Sequence, residues 1–278
     1  MPILRYKQDR LAVALVLALV IAQLATFIFV ENLYIVTAIA LLLLVAQGSA
    51  SAVNHNHQHL PIFKAHLPNR ILEVGLFFNT GIGPWGWVLH HTIGHHMHYL
   101  DAEKDTCSWK RKDGSVMGSL EYTVLNTLKI YPQIFKVGKG HPKIFKKFLI
   151  GFAVCLGLLA FFIALAPFKA LILFGTPIIV QLFLLVYATV DHHRGLDTQD
   201  EFAATRNDES PLNNWYAWNL GYHTAHHVKC GVHWSKLPAL HEKIKHKIPT
   251  ELIQQRKFLE TKPLDFSENQ PVSSHKTA

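Results

Sequence analysis

Histidine is concentrated in three short stretches of this sequence. They read HNHQH at residues 55–59, HHTIGHHMH at residues 90–98 and HTAHH at residues 223–227. In a helix, residues three or four positions apart lie on one face, so each stretch presents at least two imidazoles on the same side. Neutral imidazole is a common metal ligand. The spacing therefore predicts metal binding rather than scattered surface histidines.

The stretches supply more imidazoles than one metal ion uses, because a single catalytic zinc takes about three protein ligands. His192, in the segment VDHHRG, extends the set, which suits two ions. His57 is left out because it points away from its neighbours if the segment is helical. The predicted metal ligands, with no further catalytic residues, are His55, His59, His91, His95, His96, His192, His223, His226 and His227.

The elements that must position these residues are membrane helices. Mean hydropathy is +0.17, and 17% of the residues are charged, against roughly 25% in ordinary soluble domains. Four uncharged apolar segments are each about twenty residues long, which is enough to cross a bilayer. They cover residues 11–30, 33–53, 148–168 and 170–190. We predict an all-α integral membrane protein, with four transmembrane helices in two hairpins and a cytoplasmic helical cap carrying the histidines.

The basic residues indicate the orientation in the membrane. Of the 27 Lys and Arg residues, all but Lys169 lie outside the two short connections within the predicted hairpins. Cytoplasmic segments carry an excess of Lys and Arg. We therefore expect the N-terminus, the C-terminus and the histidine stretches on the cytoplasmic side.

The segments between and after these spans are less regular. Residues 71–88 are apolar but interrupted by Glu73 and glycines, which predicts a re-entrant or interfacial segment with Trp85 and Trp87 at the membrane interface. The basic run KVGKGHPKIFKK at 136–147 is interpreted as a solvated face, with anionic lipid or an acidic electron carrier as alternatives. We expect one membrane domain over residues 1–261 and a flexible tail over 262–278.

The count of imidazoles does not identify the metal, because zinc, copper and iron all accept this ligand. The membrane setting adds a hint, since an apolar chain in the bilayer could reach the ions. Its unactivated C–H bonds require a redox-active metal and oxygen rather than a Lewis acid. Iron is therefore favoured.

The motifs HNHQH, HTIGHH and HTAHH resemble the three histidine boxes of the integral-membrane fatty acid desaturase and hydroxylase superfamily, in similar order and topology. This resemblance implies two iron ions, cycling between Fe2+ and Fe3+, with O2 as co-substrate. It implies that His55 and His59 belong to the first box and that His192 is the extra ligand before the last box. The second and third boxes contribute His91, His95, His96, His223, His226 and His227. His193, beside His192, is an alternative for the extra ligand.

Two branches of the superfamily compete. HTIGHHMHYLDAEKD, with a glycine before the histidine pair and acidic residues after it, resembles alkane hydroxylases. YHTAHHVKCGVHWSKLPALH resembles the third box of acyl desaturases. We favour desaturation of a fatty acyl chain, with hydroxylation of an alkane or acyl chain as the alternative.

Electrons must come from a partner, because the chain has no dinucleotide fingerprint, iron–sulfur cysteine set or fused haem motif. We expect a separate ferredoxin, rubredoxin or cytochrome with its reductase, and no nucleic acid. A different class of function is a histidine-rich membrane metal sensor or transporter. Transport normally places ionisable residues within the spans, and these spans contain none.

Overall fold

The computed structural model describes residues 3–258 and 260, so the predicted tail at 262–278 lies outside the described residues. The described chain is mostly helical with little strand, which confirms the all-α fold class. The α-helices are α1 (Asp9–Phe29), α2 (Leu33–His59), α3 (His66–Thr80), α4 (Ser119–Gly140), α5 (Pro142–Leu165), α6 (Pro167–Ala170), α7 (Thr176–His193), α8 (Pro211–Tyr216), α9 (His223–Val228) and α10 (Leu237–Ile244).

Shorter elements connect or extend these helices. Val88–His96 and Leu171–Gly175 are π-helical, and Trp234–Lys236, Lys245–Lys247 and Thr250–Leu252 are 3₁₀ turns. The strands β1 (Asn207–Asp208) and β2 (Ile253–Gln254) pair in parallel.

Four helical segments are long and apolar enough to span a membrane, as the sequence predicts. They are Asp9–Phe29, Leu33–His59, Pro142–Leu165 and Pro167–His193, the last comprising α6, the π-helical stretch and α7. Large apolar side chains are exposed on them, for example Leu42 and Ile179, as expected for surfaces that contact lipid. The break between the last two falls at Ala166 rather than at Lys169, because Pro167 begins a new helix.

The chain divides into two compact units, and the first comprises Met1–Leu89 and Gly138–Leu185. Within it, α1, α2 and α3 pack against one another, and α3 packs on α5. Glu31 and Lys169, the charged residues beside the two short helix connections, form an ion pair of 2.9 Å. This pairing is what two neighbouring hairpins would produce, although the hairpin arrangement stays a prediction.

Residues 66–87 form α3 and an irregular segment, and α3 is too short to be a candidate span. The helix ends at Gly81, whose φ of 76° and tight packing on Ile178 and Leu182 leave no room for a Cβ atom. Trp87 is 5% exposed, with its ring edge-on to His55 at 6.5 Å. The prediction that Trp87 lies at the membrane interface was therefore wrong, because it packs inside the protein, whereas Trp85 is half-buried.

The second unit comprises His90–Val137 and the described residues of Val186–Ala278. It contains most of α4, the end of α7, and the short elements from β1 to β2. The β1–β2 pairing ties residues 253–254 to the segment just before the third histidine stretch. This unit therefore carries the second and third histidine stretches, while the first lies at the end of α2 in the other unit.

Candidate metal centre

The second histidine stretch lies in a π-helix rather than an α-helix. Because a π-helix hydrogen-bonds residues five positions apart, His91 and His96 come together, with their Nε2 atoms 3.0 Å apart. His95, expected to face the same way as His91, turns toward a different set of histidines. The ring of His91 still stacks on that of His95 at 5.0 Å, so an i, i+5 contact is added to the predicted i, i+4 pair.

The π-helix is held by the acidic segment that follows it. Thr106 donates its backbone N–H to the Gly94 carbonyl at 3.2 Å and its hydroxyl to the His90 carbonyl at 2.7 Å. A Cβ atom on Gly94 would collide with the Thr106 side chain. Glycine is therefore needed here for close approach of the two segments.

The third stretch forms α9, a helix of only six residues, with His223, His226 and His227 all buried. Its start is fixed by Asn207 in β1, whose side chain donates to the Thr224 hydroxyl at 2.8 Å and accepts the Thr224 N–H at 3.0 Å. The strand pair thus positions a helix that is too short to be stable by itself.

Six histidines of the second unit form two groups, in each of which the possible ligand atoms lie within 4.8 Å of one another. The first contains His91, His96 and His226, and the second contains His95, His193 and His227. His193 Nε2 lies 3.1 Å from His227 Nε2 and 3.2 Å from His223 Nε2. Two ligands of one ion, each about 2.1 Å from it, are themselves roughly 3 Å apart. The spacing fits metal ligands.

Two of these imidazoles have a partner at Nδ1 that fixes the orientation of the ring. His95 Nδ1 contacts Asp105 Oδ1 at 2.8 Å, and His193 Nδ1 donates to the Ala204 carbonyl at 2.9 Å. A proton held on Nδ1 leaves the Nε2 lone pair available for a metal. Carboxylate and carbonyl partners of this kind are typical of metal-binding histidines.

Burial favours the neutral form of several histidines of the second unit. Burial, followed by the charges of neighbouring histidines, holds the pKa of His227 well below its ordinary value. His90, which is buried beside His95, has its pKa lowered to about 3 for the same reasons. Neutral imidazole is the form that binds metals, so the donor set fits one or more cations that accept nitrogen, including iron.

The first histidine stretch lies in the first unit, at the end of α2. His55 and His59, one turn apart on α2, have ring centroids separated by 5.1 Å, as the i, i+4 spacing predicts. His57 points elsewhere: its Nε2 contacts Glu73 Oε1 at 3.0 Å, and its Nδ1 accepts the Ile62 N–H at 3.3 Å. Both nitrogens of His57 are thus engaged, in agreement with leaving it out of the ligand set.

Two predicted ligands of the second unit, His192 and His223, belong to neither group. Their rings lie 3.8 Å apart, and His223 also contacts His193. His193, the neighbour of His192, occupies the second group instead, because consecutive helical residues point about 100° apart. The structure thus brings together His193, the alternative noted above, rather than His192.

A family model described as fatty acid desaturase matches residues 31–258 of the chain. The chain belongs to this desaturase family. The matched region contains all three histidine stretches, which are called the first, second and third boxes below. No curated protein and no solved structure gives a significant match.

The sequence assigned no role to two further residues of the desaturase-family site. Asp105 lies in the acidic stretch that resembled alkane hydroxylases, but only the fold shows that it reaches His95. Tyr99 gave no signal in the sequence, yet its ring lies 4.3 Å from that of His227. Burial, with help from Glu201 and Asp200, raises the pKa of Tyr99 to about 12, so its hydroxyl stays protonated at neutral pH.

Proposed function

We propose that this membrane protein is a diiron fatty acyl desaturase that uses O2 and electrons from a separate donor. Membership of the family makes it an enzyme of the desaturase or hydroxylase kind. The observation that carries this proposal is the pair of histidine groups in the second unit, five of whose six members are buried. Two groups of nitrogen ligands suit two ions, whereas a single ion would leave half of these imidazoles without a function.

The resemblance between boxes adds His55 and His59 to this ligand set. We include His193 beside the predicted His192, because His193 has the oriented nitrogen. When bound, iron would supply the redox chemistry with O2 that an unactivated C–H bond requires. Removing two hydrogens from the acyl chain while O2 becomes two waters needs two more electrons and two protons, which is why a donor is part of the proposal.

The protein's own residues would hold and orient the metals and exclude water. Asp105 and the Ala204 carbonyl fix the rings of His95 and His193, so both nitrogens are directed before a metal binds. The phenol ring of Tyr99, whose hydroxyl is protonated, packs against the ring of His227. Burial of the imidazoles keeps water from competing with an apolar substrate.

Sidedness, substrate and donor belong to the same proposal. The excess of Lys and Arg outside the short connections supports a cytoplasmic location for the boxes and both termini. Exposed apolar helices support a lipid-derived substrate that arrives through the bilayer. A ferredoxin, rubredoxin or cytochrome would deliver the electrons.

Hydroxylation of an alkane or acyl chain is the second candidate, and one structural observation favours it. The features that resembled alkane hydroxylases, Gly94 and the acidic segment, are those that build the π-helix and orient His95. The third box, which resembles that of desaturases, supports the first candidate. Both reactions begin with removal of one hydrogen, so product analysis must separate them.

The test is mass spectrometry of total lipids and hydrocarbons from cells that express the protein with an electron donor. We expect a monounsaturated acyl product that requires O2 and is lost in His226→Ala. A hydroxylated acyl chain or an alkanol as the main product would move the protein to the hydroxylase branch. A terminal alkene would indicate decarboxylation instead.

A further inference from the structure

Away from the histidine boxes, two cationic side chains of the first unit converge on one tryptophan. The guanidinium carbon of Arg70 and the Nζ atom of Lys147 each lie 4.5 Å from the centroid of the Trp85 ring. The two cationic centres are therefore no more than twice that distance apart. Cation–π contacts stabilise each of them, but they do not neutralise the charge.

The local charge is not balanced within the described residues. Arg70 pairs with Glu73 Oε2 at 2.6 Å, but the other oxygen of this carboxylate contacts His57. Lys147 forms no ion pair with any carboxylate of the described chain. Glu73 is thus the carboxylate paired with these two cations in the described chain, through Arg70, and an anion close to both cations would be attracted by both.

The backbone at Trp85 is unusual as well. Its φ of 63° lies in the left-handed region, which costs free energy for a residue with a bulky side chain. Such a conformation persists only where its surroundings determine it. Here the strained turn holds an indole ring between α3, which carries Arg70, and the start of α5, which carries Lys147.

The surroundings of these three residues mark the edge of a hydrocarbon layer. Leu149 and Ile150, two and three residues after Lys147, are 40% and 58% exposed, and Ile71, directly after Arg70, is 64% exposed. Exposed apolar residues next to Trp, Lys and Arg are typical of the boundary between acyl chains and head groups. Phosphate is the anion concentrated at that boundary.

We propose that Arg70, Lys147 and Trp85 form a binding site for a phosphate group, supplied by the head group of an anionic phospholipid. A phosphorus atom whose oxygens accept hydrogen bonds from both cations would be roughly 4 Å from each cationic centre, which is comparable with the 4.5 Å between each centre and the indole centroid. Arg70 would offer its planar guanidinium to the phosphate while it also pairs with Glu73. The site lies in the first unit and is independent of the proposed chemistry.

The experiment titrates the full-length protein in neutral detergent with short-chain phosphatidylglycerol, short-chain phosphatidylcholine or inorganic phosphate. Bound lipid is counted by native mass spectrometry, and affinity is read from tryptophan fluorescence. We expect saturable binding of phosphatidylglycerol, with a dissociation constant raised roughly ten-fold or more in Lys147→Gln. Lys143→Gln, an exposed lysine one turn earlier on α5, changes the net charge equally and should have little effect.

Trp85→Phe keeps a weaker ring and should give an intermediate affinity, together with loss of the fluorescence change. Equal binding of inorganic phosphate would keep the phosphate site but assign it to a free anion. Equal weakening in Lys143→Gln and Lys147→Gln would show general attraction to a basic surface and overturn the proposal. An absence of phosphatidylglycerol binding would also overturn the proposal. This holds even if binding of an acidic electron carrier requires Lys147.

Discussion

The first histidine box and the two later boxes hold their imidazoles by different means. In the first, an uninterrupted α-helix places His55 and His59 on one face. In the second, a π-helix brings His91 to His96, and in the third a six-residue helix relies on a strand pair for its position. Residue spacing is therefore enough to predict geometry only where the helix is regular.

The supporting interactions differ in the same way. In the first box a histidine that is not a predicted ligand, His57, anchors the helix through Glu73. In the second box and at the end of α7 the candidate ligands themselves are oriented, His95 by Asp105 and His193 by the Ala204 carbonyl. Substitutions near the first box should thus separate stability from metal binding, whereas those near the later boxes should affect both.

The largest effect is expected from the later boxes themselves. His95→Ala and His226→Ala each remove a predicted ligand nitrogen and should lower turnover by more than roughly 100-fold. Product formation and bound iron are measured together on protein that elutes as a single folded species. His141→Ala, an exposed histidine with no capping hydrogen bond at the start of α5, is the control and should stay active. A folded His95→Ala protein with full activity would remove His95 from the site.

The next largest effect is expected at Asp105, the carboxylate that contacts His95. Asp105→Asn keeps the shape but loses the charge that orients His95, so metal affinity or activity should fall about 10-fold to 100-fold. Iron release to a chelator measures this directly. Asp113→Asn, on an exposed carboxylate, should leave iron release unchanged. Equal behaviour of the two variants would contradict the assigned role of Asp105.

The tight contact in the π-helix predicts a smaller effect, on stability. Gly94→Ala places a methyl group against Thr106 and should reduce the free energy of unfolding by about 1–3 kcal/mol. The double substitution Gly94→Ala with Thr106→Ser, which removes the colliding methyl, should recover part of the loss. Gly157→Ala, which meets nothing within 4 Å, is the matched control. Thermal unfolding of all four proteins provides the comparison.

The smallest effect on function is expected at the first box. His57→Gln weakens the anchor to Glu73 and should cost about 1–3 kcal/mol of stability, while bound iron per chain stays the same. His55→Gln on the same helix should lose iron. If His57→Gln loses iron to the same extent, the distinction between anchor and ligand in this box is wrong.

The spans, the box positions and the pair on α2 could be predicted because each depends on local pattern. Apolar runs of sufficient length predicted the four candidate spans, but the helix boundaries differ, chiefly where Pro142 and Pro167 begin helices and where α2 continues to His59. The choice between His192 and His193 depends on the rotation of α7 and on the distant Ala204 carbonyl. Asp105 is ten residues from His95, and no helical periodicity links them. The π-helix requires Thr106 to fold back on Gly94, which residue spacing does not reveal.

Metal content tests the central claim most directly. Protein purified without oxygen is analysed for iron, zinc, copper and other transition metals per chain, alongside His95→Ala and His226→Ala. Two groups of closely spaced imidazoles predict about two iron ions per chain, with less in each variant. Stoichiometric zinc, together with an activity that does not depend on iron, would contradict the diiron assignment.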